Sequence, residues 1–265
     1  MGYLNIKKCY FSLLALLVMS LSNLAQANYL SWDEIESIVK KEGINPKAVS
    51  HVRCFFDQHE NSVFQKKNGN QYSLNRCYNR AQITLDQKRV FALIDYTKNS
   101  NEQRMFLIDR KTGGISKMAV AHGRYNGSIF NMKLAPKENS VMRARYYSNA
   151  HGSNAPSSGF FVAGDEYEGK FGRSLVVHGL EEGINDNACE RAVVIHKHAM
   201  VTKNNVYAQS KGCPMVSSSY IDHVINLLKS SSSNIDDNKH GSVVFIYGER
   251  EKNWDYGTCE GNFRL

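Results

Sequence analysis

Apolar residues between Leu30 and Phe56 recur at helical spacing, in two runs. Ile35, Ile38 and Val39 line one face of the first run, and Val49, Val52, Phe55 and Phe56 line the second. Ser31 with Glu34 predicts a capping box, Leu30 with Ile35 a hydrophobic staple, and Gly43 a stop. Asn45 predicts a second cap, with Pro46 at the first helical position. Residues 61–80 are polar and read as loop. From Val90 the texture changes to short β-rich runs: Val90 to Tyr96, Met105 to Asp109, Ile115 to Ala121, Gly159 to Ala163, Ser174 to Val177, Ala192 to His196 and Val243 to Tyr247. Lys111-Thr112-Gly113-Gly114 predicts a hairpin turn. Tyr220, Ile221, Val224, Ile225 and Leu228 mark a last amphipathic helix. Ser217 to Ser219 offer it N-caps, and its positive end would face the preceding loop. Ser230 to Ser233 and Asn234 to His240 read as a polar loop. This pattern predicts an α+β, mainly β chain. A β-sandwich-like body over 85–265 follows a small helical N-terminal cap over 28–84.

The first 27 residues stand outside that scheme. Lys7 and Lys8 precede an apolar core, Tyr10 to Leu21, and Ala25-Gln26-Ala27 is an A-x-A cleavage signal. The segment reads as a secretory signal peptide cut after Ala27, because the apolar core is short for a membrane span. The expected location is the periplasm or cell envelope, with no membrane span after cleavage. The formal charge is +8, of which the two signal lysines contribute two. The remaining mild basic excess suits an acidic envelope, and scattered basic residues on an exported chain argue against nucleic acid.

Export also makes the cysteines informative. The mature part keeps Cys54, Cys77, Cys189, Cys213 and Cys259, an odd number, so one thiol is left over in an oxidising compartment. With Cys213 as the working thiol, the other four allow three pairings, of which Cys54–Cys77 with Cys189–Cys259 is the expectation.

Cys213 stands out because of its setting. The apolar run Ala192 to Ile195 delivers His196, and seventeen positions later comes Cys213, held in Ser210-Lys211-Gly212-Cys213-Pro214. A cysteine reacts as its thiolate, and an imidazole titrating near neutral pH is a suitable base. A strand end would fix the His196 ring. Gly212 permits close approach to the sulfur, the N–H groups of Gly212 and Cys213 are candidate oxyanion donors, and Lys211 adds positive charge.

These residues resemble the L,D-transpeptidases that cross-link bacterial peptidoglycan, in the branch carrying S-x-G-C-P. The resemblance extends to Ala92 to Gly114, Ala121-His122-Gly123, Gly159-Phe160-Phe161 and Gly179 to Ala188, covering roughly 85–250. Lys211, Gln209 and Lys197 depart from that pattern, standing where histidine, arginine and glycine are usual. The resemblance implies a β-sandwich and a peptidoglycan stem tetrapeptide as donor. Cys213 would attack the carbonyl of the third residue, usually meso-diaminopimelate, and expel D-alanine. His196 would move the proton, oriented by the backbone carbonyl of Lys197. The thioester would pass to a side-chain amine, giving a 3-3 cross-link, or to water, a free D-amino acid or a lipoprotein lysine. No cofactor is implied, and carbapenems are expected to acylate Cys213.

Ser210, Lys211, His178 and Asn187 are the expected substrate contacts. Two other readings stand beside transpeptidation. One keeps the chemistry but ends at water, an L,D-carboxypeptidase or endopeptidase. The other is a cell-wall-binding or zinc-binding protein, prompted by the His196-x-His198 spacing with Cys213 or Cys189 as a third ligand. No conventional second ligand pair follows, so no metal is expected.

Overall fold

The computed structural model describes residues 29–65, 77, 82–125, 139–231, 239–248 and 263. The expected signal segment and Cys259 lie outside the described residues. Helix α1 (Trp32–Lys41) starts at Ser31, whose hydroxyl accepts from Glu34 N–H while the Glu34 carboxylate accepts from Ser31 N–H at 2.8 Å. Helix α2 (Pro46–His59) starts at Asn45, whose side chain accepts from Lys47 N–H. Both caps satisfy backbone donors that a helix start leaves unpaired.

The body is mainly β and sandwich-like, built around one long mixed sheet of eight strands. In spatial order these are β5 (Ile115–Met118), β4 (Met105–Asp109), β3 (Val90–Asp95), β11 (Val243–Tyr247), β6 (Gly159–Gly169), β7 (Gly172–Gly179), β8 (Val194–Lys197) and β9 (Met215–Val216). A smaller sheet joins β1 (Phe64–Gln65), β2 (Gln82–Leu85) and β10 (Lys239–His240). The period-2 alternation of β3 feeds two cores. Val90, Ala92 and Ile94 meet Leu175, Val177 and Ile195 together with helix α3 (Ile221–Leu228). Phe91 and Leu93 meet the apolar faces of α1 and α2. Phe55 of α2 stacks on Phe160 of β6 at 4.6 Å between ring centroids. The N-terminal helices therefore share a core with the sheet rather than forming one of their own.

Several local expectations are revised. The strand at Ile115 ends at Met118, and the chain then crosses over so that Ala121 bridges Met215 and Gly123 bridges Ser210. Helix α3 has Tyr220 at its N-cap without a side-chain cap, because the Ser217 hydroxyl is engaged with Ser219 instead. Lys239 and His240, read as loop, pair in parallel with β2. The strands β6 and β7 run beyond the expected spans into a long hairpin. Gly169 pairs with Gly172 across a two-residue turn, Lys170-Phe171, and Gly172 takes φ +77° there.

The cysteine pairing is also corrected. Cys77 bonds Cys189, with Cα atoms 5.8 Å apart, so neither Cys54–Cys77 nor Cys189–Cys259 forms. The physical reason is placement. Cys54 belongs to α2, against the helix-side core, whereas Cys77 packs with Val176 and Val194 beside Cys189. Cys54 is disulfide-bonded too, to a partner outside the described residues. Cys213 is free.

Candidate active site

Strand β8 carries His196 to its end, where the residue is 2% exposed. The β8–β9 pairing is parallel and sets His196 beside Met215, with His196 N–H donating to Pro214 O. That register brings the 210–214 loop alongside β8. His196 Nδ1 lies 2.9 Å from the carbonyl oxygen of Lys197. A carbonyl only accepts, so Nδ1 carries the proton and Nε2 is left as a bare base in the neutral ring. Burial, more than any other influence, holds the imidazole below its ordinary pKa, with the Lys197 carbonyl opposing and the charges of His198 and Lys170 assisting.

Cys213 and His196 line one cleft of about 610 Å3, with Tyr167, Lys170, Phe171 and Arg191 around them. The sulfur donates to Ala192 O at 3.5 Å and accepts from Val194 N–H. Ala192 holds φ +56°, the left-handed region, which turns the chain between Cys189 and β8. Burial pushes the Cys213 thiol up, against the pull of the Val194 N–H and of the charges on Arg191 and Lys170. The thiol is thus the resting form, and a base is needed to ionise it. The cations acting on the sulfur are Arg191 and Lys170. Lys211, expected in that role, lines the cleft as an exposed side chain.

The loop before the sulfur is braced internally. Ser210 Oγ donates to Cys213 O at 2.6 Å and accepts from Gly212 N–H at 3.0 Å. Two consequences follow. Ser210 lines the cleft, but its hydroxyl is engaged within the loop, and the Gly212 N–H is already satisfied, so the Cys213 N–H is the donor left for an oxyanion. Gly212 takes φ +123°, and its Cα sits so close to Gly123 that a Cβ on Gly123 would lie 2.7 Å away. Both positions require glycine.

His178 and Asn187 do not line the cleft. His178 is buried on β7, edge-on to His240 at 4.9 Å, beside a small pocket at the Cys77–Cys189 bond. Asn187 ties down the neighbouring loop by donating from Nδ2 to Asn149 O. Gln209 lines the cleft and donates to Asn139 O. His198 lines it too, but no group of three or more His, Cys, Asp or Glu side chains placed for a metal occurs among the described residues.

Four cleft residues escaped the sequence reading: Tyr167, Lys170, Phe171 and Arg191. Phe171 stacks on the His196 ring at 4.2 Å and 18°, and Lys170 sits over Phe171 at 4.8 Å. The Gly-Lys-Phe-Gly turn was the available signal for this hairpin tip. Arg191 donates to Ser148 O, Ser157 Oγ, Ser153 Oγ and Ala155 O, so it fastens the 148–157 loop under the 210–214 loop.

Behind the site, Ser210 N–H donates to His122 O, and His122 is fully buried. Arg104 Nη2 donates to His122 Nδ1 at 2.7 Å, so Nε2 carries the ring proton and donates to Ser140 O at 3.0 Å. Burial and the adjacent Arg104 charge hold His122 at about 3. Because the folded value lies below the unfolded one, the unfolded chain binds the extra proton. His122 therefore contributes stability that is complete above about pH 6.5 and is lost as pH falls toward 3, by about 1.4 kcal/mol per pH unit. Urea midpoints measured between pH 7 and 4 should fall over this window, and less steeply in His122→Gln.

A family model described as L,D-transpeptidase catalytic domain matches residues 59–236. No curated protein matches the chain. Similar solved structures include the helical cell shape determining protein Pgp2 (K307A mutant) from Campylobacter jejuni, at 10% identity and TM-score 0.37, over 77% of this chain and 55% of that one. An L,D-transpeptidase from Mycobacterium smegmatis matches at 10% identity and TM-score 0.32, over 60% of this chain and 59% of that one. Bd1075 from Bdellovibrio bacteriovorus matches at 11% and 0.32, over 70% and 52%. The chain thus spans little more than half the length of each.

Proposed function

This chain belongs to the L,D-transpeptidase catalytic domain family, and from that premise we propose that it is an exported cysteine acyltransferase of the cell envelope acting on peptidoglycan stem peptides. The observation that carries the reading is the shared cleft: a free Cys213 and a His196 whose Nδ1 is committed to Lys197 O, leaving Nε2 as the base. Among the described residues no helix is long and apolar enough to cross a membrane, which is compatible with release after signal cleavage.

In the proposed cycle His196 Nε2 takes the Cys213 proton as the sulfur adds to the carbonyl of the third stem residue. The Cys213 N–H faces the developing oxyanion. Collapse breaks the peptide bond, and the imidazolium returns its proton to the departing D-alanine amine. The thioester is then attacked by a side-chain amine of a second stem, which restores the thiol and forms a 3-3 cross-link. Water in place of the amine gives a trimmed tripeptide. No cofactor enters the cycle.

Purified disaccharide tetrapeptides incubated with the protein distinguish these outcomes by product mass. A dimer lighter by one D-alanine is the expected product. Tripeptide alone would make the protein a carboxypeptidase, and unchanged substrate with no Cys213 adduct would overturn the reading.

A further inference from the structure

Among the described residues the cleft is lined by cations and by no carboxylate: Lys170, Arg191 and Lys211 contribute to its wall, and no Asp or Glu does. Arg191 has its terminal nitrogens engaged by loop oxygens. Lys170 and Lys211 form no ion pair among the described residues. They differ in position. Lys170 lies at the hairpin tip over His196, close enough for its charge to act on both the ring and the sulfur, whereas Lys211 belongs to the nucleophile loop.

This difference has a chemical meaning if the proposed acyl transfer holds, and the inference rests on that reading. The departing amine must reach His196 to collect its proton, so the leaving residue lies on the His196 side of the sulfur. Its α-carboxylate is two bonds from that amine. The cleft-lining lysine on that side is Lys170, held above Phe171, which itself covers the imidazole. We propose that Lys170 is a specificity-determining residue that binds the free terminal carboxylate of the leaving amino acid. The enzyme thereby selects stems with one residue beyond the scissile bond. Lys211 is outside this subsite.

The test is binding without turnover, on the full mature chain carrying Cys213→Ala. A stem tetrapeptide and its C-terminal amide are titrated by calorimetry at low salt. The acid should bind about fivefold or more tighter than the amide, and the preference should shrink at 0.5 M salt. Lys170→Gln should abolish the preference, Lys170→Arg should retain it, and Lys211→Gln should leave it intact. Equal affinities in the Cys213→Ala protein, or a preference that survives Lys170→Gln, overturn the proposal. Failure of acyl transfer itself shows separately, as absence of a Cys213 thioester in the wild-type chain. Circular dichroism of each variant identifies any loss of fold, and the exposed hairpin position of Lys170 leads us to expect none.

Discussion

Cys213→Ala should abolish the proposed release of D-alanine from tetrapeptide stems, by a factor of about 10^4 or more, while the protein should melt within a few degrees of wild type. The size follows from covalent catalysis, where removing the nucleophile leaves only binding and electrostatic help. The stability expectation follows from a half-buried thiol held only by a long hydrogen bond to Ala192 O and one from Val194 N–H. His196→Ala should cost somewhat less, about 10^2- to 10^4-fold, as for loss of a general base. Because burial keeps the thiol protonated and the imidazole neutral, wild-type alkylation by iodoacetamide should accelerate with rising pH into the alkaline range. Stopped-flow acylation and intact mass read both effects. Undiminished turnover by the Cys213→Ala protein would end the cysteine mechanism.

Removing the Cys77–Cys189 bond as the Cys77→Ala/Cys189→Ala double variant should destabilise the protein by about 4 kcal/mol. The bond closes a loop with a sequence separation of 112, and the chain-entropy model assigns loops of that order about 4–5 kcal/mol. In a chain of this size that corresponds to a fall in Tm of about 10 °C or more. The loss should reach the site as well. Cys189 packs with Val194, and Cys213 packs against the same cluster, so this bond stiffens the turn that holds the sulfur. Calorimetry should therefore show the melting shift together with a slower Cys213 acylation. A variant that melts like wild type would place the stabilisation elsewhere.

Where local chemistry decides an element, the chain announces it. The Ser31–Glu34 and Asn45–Pro46 signals lie at the observed helix starts, and the strands at Met105–Asp109 and Val243–Tyr247 have the expected bounds. The Cys213 loop and the β8 histidine were also legible, since an apolar run ending in His and a Gly-Cys-Pro turn are local features. What escaped depends on distant partners. Two-residue strands such as β1 and β9 carry too few positions for an alternation to register. The choice of Cys189 for Cys77 depends on how β7 and β8 pair, setting Val176 beside Val194 under the bond, and no spacing encodes that. The closing of the Ser210 hydroxyl on Cys213 O was not legible either, because nothing local in the sequence announces it.

The stretch between the two candidate reactive residues folds back as a docked hairpin. Val201 bridges Val206, Ala119 N–H donates to Lys203 O, and Val201 and Val206 pack with Ala119, Ala121 and Met215. It is thus a gauge and not slack rope: its length is read off against Ala119 and handed on to Met215, two residues past the sulfur. Lengthening it by even one residue would have to be absorbed either at that anchorage or at the thiol itself.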